Sequence, residues 1–460
     1  MTRGPGGRAM NVLPASGPAS GPGSRPPIAM RRFGLASATT LVVASMIGTG
    51  VFTTTGLLLA ELGSPVAVIL AWLAGGLLAA AGAVSYSELA AALPRNGGEY
   101  QLLSRIFHPA VGFVAGVLSL VVGFAAPVAA SALAFGHYLS AAVPGVPSLA
   151  AAAGIVVLFA LAHGFDVGWG SRAQNALAVT LVVLIASLTV AGMVLGDPGR
   201  IVAPASRAPL AAVASPGFAV ALVLVSFAYS GWNGAAYVAG EVRVPSRTLP
   251  LSLMLGTGIV TVLYVGLNVA LLAAVPSQEL AGVVEVADVA ARRLAGPIAG
   301  RGVSGVIALA LASSVGAMFL TGPRVTAAMG HDHRALGFLA RRTSRGAPAV
   351  AVAFQAALAL VLVVTSSFGA LLAYIGFTLS VCAGLTVLGV LVLRWREPQI
   401  VRPYRAWGYP VTPLLFVALS VWMVAQALVE RPASSIAGVA TIAAAALLHA
   451  LVARTGEPAR

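Results

Sequence analysis

The chain has 460 residues, 59% of them hydrophobic and 9% charged, and its 27 basic residues against 13 acidic ones give a formal charge of +14. So few charges cannot clothe a soluble globule of that length, and apolar stretches long enough to cross a bilayer recur throughout, which places the chain among polytopic helical membrane proteins. The basic balance reads as loop topology rather than as a nucleic-acid footprint, because in such proteins basic residues collect in the loops on one side.

Residues 1–30 are rich in Gly, Pro, Ser and Ala and lack the apolar core of a cleavable signal, so a disordered cytoplasmic tail is expected there. Twelve spans follow, at roughly 33–59, 65–92, 110–142, 148–164, 171–195, 216–240, 249–275, 301–329, 348–366, 369–393, 411–430 and 434–453. Two are interrupted by small residues, the first at Ala44-Ser45-Met46-Ile47-Gly48-Thr49-Gly50-Val51-Phe52 and the sixth at Phe227-Ala228-Tyr229-Ser230-Gly231-Trp232-Asn233. A helix that unwinds in a bilayer core exposes amides and carbonyls at several kcal/mol each, so a break persists only where protein, water or a solute satisfies them. Interrupted spans at corresponding places in two halves point to the binding site of a transporter.

The first five spans (31–195) overlay on the next five (216–393), and an odd number per set forces opposite orientations. The expected fold is therefore all-α with a 5+5 inverted repeat. An external loop (196–215) joins the halves; a cytoplasmic loop (394–410), two further helices (411–453) and a cytoplasmic tail (454–460) complete the chain. Every basic residue is arginine. With the amino terminus in the cytoplasm, Arg200, Arg207, Arg292, Arg293, Arg301 and Arg431 lie outside and the other 21 inside, so both termini are expected to be cytoplasmic in a cell membrane, plasma or inner. Cys382, the sole cysteine, falls within the tenth span, which leaves no intramolecular disulfide or multi-cysteine metal site.

Four groups of residues resemble the amino acid–polyamine–organocation permeases, in particular their branch of L-type amino acid transporters and bacterial antiporters. They are Met46-Ile47-Gly48-Thr49-Gly50-Val51-Phe52; Tyr86-Ser87-Glu88-Leu89 with Pro94-Arg95-Asn96-Gly97-Gly98-Glu99-Tyr100; Phe227 to Asn233 with Gly240-Glu241-Val242-Arg243-Val244-Pro245 and Thr248-Leu249-Pro250; and Arg394-Trp395-Arg396-Glu397-Pro398 with Arg402-Pro403-Tyr404-Arg405 and Tyr409-Pro410. The resemblance implies a LeuT-like fold of twelve transmembrane helices and amino acid transport. It also implies substrate-backbone contacts at Ile47, Gly48, Thr49, Gly50, Phe227, Ala228, Tyr229, Gly231 and Asn233, with Phe227 as an aromatic gate.

The chemistry of the breaks agrees with that. The half-helix after Gly48-Thr49-Gly50 offers unpaired amides at its positive end to a carboxylate, and Gly50 is expected to stay bare so that the ligand can approach. Carbonyls near Phe227, Ala228 and Tyr229 can accept from an ammonium. No acidic residue stands in or beside either break along the sequence, which favours a neutral amino acid; a cationic amino acid or polyamine antiporter is the alternative. Gly75-Gly76, Gly112, Gly116 and Gly384 read as packing glycines. Glu88 and Glu241 are expected to pair with Arg95 and Arg243 or to serve an inner gate, His137 and His163 to be interfacial, and His331-Asp332-His333 to be a solvated loop rather than a metal site.

Many relatives carry a lysine in the fifth span where this chain has Leu181, so lysine-mediated proton coupling does not carry over. Ala44, Ile47, Ala310, Ser313 and Ser314 could instead form an oxygen cage resembling the sodium site of LeuT-fold symporters, although membrane hydroxyls also bond their own backbone. Obligatory exchange is the leading expectation, with Na+ or H+ coupling as the alternatives. No cofactor and no metal site is expected. The partners are an amino acid and the lipid bilayer, not nucleic acid, and the oligomeric state is left open. An intramembrane enzyme is disfavoured because no Gly-x-Ser-x-Gly elbow, His-Glu-x-x-His or paired intramembrane acid is present, so no catalytic residue is named. A channel would need a continuous pore.

Overall fold

The computed structural model describes residues 33–95, 97–164, 171–202, 207–332, 334–343 and 346–454. The expected amino-terminal tail (1–30), the residues after 454, Asn96 of the second motif and His333 lie outside the described residues.

Helices α1 (Leu35–Met46) and α2 (Thr49–Leu62) form the first span and meet at 43° across Ile47 and Gly48. Ser64 accepts the Ala67 amide and Pro65 fills the first turn, a start signal that opens α3 (Pro65–Ala92). The short helix α4 (Gly98–Ile106) is amphipathic and absent from the sequence reading. The third span consists of α5 (Pro109–Leu118), a π-helical turn over Ser119–Ala125, and α6 (Ala126–Ala142). Then come α7 (Ser148–Gly164) and α8 (Ser171–Leu195), with α9 (Gly199–Val202) and α10 (Pro209–Val213) in the segment expected to be plain loop.

The second broken span is α11 (Pro216–Ala228) followed, after an irregular turn, by α12 (Gly234–Tyr237). The remainder is α13 (Pro245–Ala274), α14 (Ser277–Leu280), α15 (Val286–Asp332), α16 (Ala349–Thr365), α17 (Phe368–Arg396), α18 (Val411–Glu430) and α19 (Pro432–Arg454). Helix α15 is interrupted at Gly296, where φ is 85° and the backbone is not helical, so residues 286–295 form a separate preceding helix and the stretch from Pro297 onward is the span expected from 301. It also runs through His331 and Asp332, so those two residues close a helix where a loop was expected.

Among the described residues, seven helices are long and apolar enough to cross a membrane, and α1 with α2 adds a bent pair. Four shorter apolar helices accompany them: α7, the Val179–Leu195 part of α8, α11 and α16. The buried core lies where the broken spans meet. Trp72 of α3 packs edge-on against Tyr264 of α13 at 5.5 Å, and Tyr229 lies 5.2 Å from Tyr264. Gly75 and Gly76 let α3 approach Val225 and Thr261, in keeping with the packing role read from the sequence. By contrast, α19 has only 17% of its most apolar window buried, as suits a helix facing lipid.

Candidate functional site

The two breaks touch. A Cβ built on Gly50 would stand 2.4 Å from the Cα of Ala228, and one on Gly231 would stand 2.4 Å from the carbonyl oxygen of Ser45. Gly231 also has φ +95°, a region that side chains other than glycine avoid, so the turn between α11 and α12 requires it. The space at Gly50 that sequence reasoning kept for a carboxylate is thus filled by α11. Thr49, Gly50, Phe227 and Ala228 are all buried in this contact, and Thr49 shares a 2.8 Å hydrogen bond with Ser131 of α6. Tyr264 donates to the carbonyl of Met46 at the end of α1, and Tyr138 donates to that of Phe52 within α2, each at 2.6 Å.

Two cavities of about 110 Å³ flank the contact. The first opens on the second break. Tyr229, Gly231 and Asn233 from the expected set line it, with Ser226 and Ser230 beside them, Ser119 and Gly123 of the π-helical turn, and Thr378 and Ser380 of α17. A π turn widens a helix locally and is often found at functional sites, and here it forms part of a cavity wall. Much of the remaining wall is apolar, including Leu78, Leu118, Trp232 and Phe416, with Glu99, Tyr237 and Ser420 among the other lining residues. Phe227, the expected gate, lines neither cavity.

The second cavity opens on the first break. Ala44, Ile47, Ala310, Ser313 and Ser314, the five residues of the expected oxygen cage, all line it, together with Gly48, Phe52 and Leu181. Most hydroxyls in these helices bond the carbonyl four residues back, as Thr189, Thr261 and Thr378 do. Neither Ser313 nor Ser314 is held that way among the described residues. Leu181 therefore presents a methyl surface to a cavity that has hydroxyls on its other side.

Sequence reasoning missed the residue that dominates the electrostatics of the first cavity. Glu99 of α4 lines it, is 8% exposed, and accepts hydrogen bonds from Tyr86 (2.9 Å), Asn233 (2.6 Å) and Tyr237. None of the ion pairs among the described residues involves Glu99. The expectation that no acid stands beside a break is corrected accordingly. Along the chain Glu99 is far from Asn233; the approach is made by Gly97 and Gly98, whose positive φ values (121° and 53°) turn the chain, and by the Gly97 amide, which donates to the Tyr237 carbonyl at 3.1 Å. The signal that could have found it was the pair of glycines next to an acid in Gly97-Gly98-Glu99.

At the arginine-rich end, Glu88 is paired with Arg394 of α17 through two bonds of 2.8 and 2.7 Å rather than with Arg95 as expected. It also accepts the Ala406 amide at 2.6 Å and lies 3.5 Å from Arg402. The backbone of Phe33 pairs with Glu241 and Arg243, which ties the start of α1 to the segment after α12. At the opposite end His137 meets Glu285 at 2.7 Å, and Asp288 takes hydrogen bonds from Arg292 and Ser304. Among the described residues no cluster of His, Cys, Asp or Glu could hold a metal ion.

The profile of a family described as amino acid permease matches residues 33–451. The chain is similar to the serine/threonine exchanger SteT of Bacillus subtilis (strain 168), at 29% identity over 406 residues that cover 87% of this chain and 91% of the relative. It is similar to large neutral amino acids transporter small subunit 2 of Oryctolagus cuniculus, at 30% identity over 400 residues, 84% of this chain and 74% of the relative. It is also similar to b(0,+)-type amino acid transporter 1 of Homo sapiens, at 27% identity over 416 residues, 87% and 83%. These relatives are transporters and exchangers, not enzymes. Since the match extends from the first broken span into the last helix and takes in the residues of both cavities, the chain belongs to the amino acid permease family of the amino acid–polyamine–organocation superfamily.

Proposed function

We propose that this chain is a secondary transporter that moves amino acids by alternating access, with a LeuT-like arrangement of twelve spans. The observation that carries the reading is the contact between the two broken spans with a cavity on either side, since irregular backbone at membrane depth survives only where protein or a solute satisfies it. One bent pair, seven long apolar helices and four short ones are the elements such an arrangement needs. In this reading both termini face the cytoplasm of a cell membrane.

A neutral amino acid is the preferred substrate. The first cavity is walled largely by apolar and aromatic side chains, three protein donors already occupy the Glu99 carboxyl, and the relatives are named for serine/threonine and large neutral substrates. A cationic amino acid or polyamine is the second reading, favoured by the carboxylate of Glu99 in that same wall. Exchange is the preferred mode: Leu181 cannot carry a proton, and proton coupling, the second alternative, would have to use a carboxyl such as that of Glu99. Sodium at Ala44, Ile47, Ala310, Ser313 and Ser314 is the competitor, supported by their lining one cavity.

Proteoliposomes loaded with unlabelled amino acid are expected to take up labelled neutral amino acid much faster than empty ones, with no response to imposed sodium or proton gradients. Uptake into empty vesicles that follows either gradient would overturn obligatory exchange; failure of every amino acid to move would overturn transport itself.

A further inference from the structure

We infer that Glu99 is a positioning residue that fixes the amide of Asn233 so that the first cavity presents hydrogen-bond acceptors and selects the donor-bearing end of its ligand. The inference rests on reading that cavity as the substrate site. The amide nitrogen of Asn233 donates to Glu99 at 2.6 Å, so the amide oxygen is the end turned away from the carboxyl. With one N–H of Asn233 committed to Glu99, that oxygen is offered to the cavity Asn233 lines, and no described residue donates to it.

Two of the Ser and Thr hydroxyls on the same wall are biased the same way. Thr378 and Ser380 spend their protons on the carbonyls of Tyr374 and Gly376, at 2.9 and 2.8 Å, so toward the cavity they can only accept. Three side chains from two separate elements thus offer lone pairs to one space. The donors that hold Glu99 come from α3 (Tyr86) and α12 (Tyr237), so the carboxylate cannot swing away without breaking both contacts. A ligand group with N–H or O–H bonds is favoured there, and one without them leaves buried acceptors unpaired.

The test is Glu99→Gln in proteoliposomes. Glutamine can donate as well as accept, which lets the Asn233 amide turn over and offer either end. Inhibition of labelled amino acid uptake is measured with two pairs of competitors: an amino acid and its deaminated acid, which removes the ammonium, and serine and alanine, which removes a hydroxyl. In the wild type, one pair should be discriminated strongly. In Glu99→Gln that discrimination should shrink by on the order of tenfold, with a smaller change in maximal rate. Glu99→Asp, which keeps the charge, should retain most of it. Asn233→Ala removes the oriented acceptor while leaving Glu99 in place, and should lose the same discrimination even if Glu99→Gln fails to fold. Unchanged ratios in a transporting Glu99→Gln or Asn233→Ala protein would overturn the inference alone. Absence of amino acid uptake by the wild type would overturn the transport reading, and this inference with it.

Discussion

Gly48 and Gly231 sit in the two breaks under opposite constraints. A Cβ on Gly48 meets nothing within 4 Å, whereas Gly231 has φ +95° and its Cβ would lie 2.4 Å from the Ser45 carbonyl oxygen. Gly231→Ala should therefore lose about 1–3 kcal/mol to backbone strain alone, read as a lower midpoint of thermal unfolding in detergent. Gly48→Ala should unfold at the wild-type temperature but place a methyl in the second cavity, so its transport should fall; normal transport would remove that cavity from the mechanism. Gly50 shows what spacing along one helix cannot reveal. It was legible as a glycine at a break, but what it faces is Ala228, and only the packing of α11 decides that. Glu99 was legible as part of a motif and illegible as a neighbour of Asn233, because the approach depends on two consecutive positive-φ glycines.

Among the elements, α3 and α17 are joined at the arginine-rich end by one buried carboxylate. The Glu88 side chain is 2% exposed and that of Arg394 is 21% exposed, with the Arg394 guanidinium stacked 3.6 Å from the centre of the Tyr409 ring. Removing one partner of a buried pair costs about 3–5 kcal/mol, because the other charge is left uncompensated. Glu88→Gln should accordingly lower the thermal midpoint far more than Glu397→Gln. Glu397 does pair with Arg105, which holds its carboxyl below the usual range, but both side chains are at least one-third exposed. Its contribution is present above the ordinary carboxylate pKa, disappears as pH falls through the lowered one, and is small. The elements themselves were largely legible, since breaks and span ends follow from hydropathy and glycine. The helical segment before Gly296 was not, because it carries Asp288, Arg292 and Arg293 and lies outside the apolar stretch, nor was the π turn, because one extra residue per turn leaves no mark on composition.

At the scale of the whole molecule, the asymmetry of 21 arginines against six is a statement about insertion rather than about packing, and it was available before any contact was known. What it leaves out is how the halves meet, which the hydropathy of each span does not encode. The asymmetry predicts that Arg301 faces the outside and Arg341 the cytoplasm, and both residues are exposed. Cys382 lines the first cavity, so it must be removed before thiols can report topology. On a Cys382→Ala background, Arg301→Cys should react with a membrane-impermeant maleimide in intact cells, and Arg341→Cys only after permeabilisation. The reverse pattern would invert the chain in the membrane and exchange the sides served by the two ends of the molecule. Since the clamp around Glu88 lies at the arginine-rich end, that result would also move it from the cytoplasmic face to the outer one.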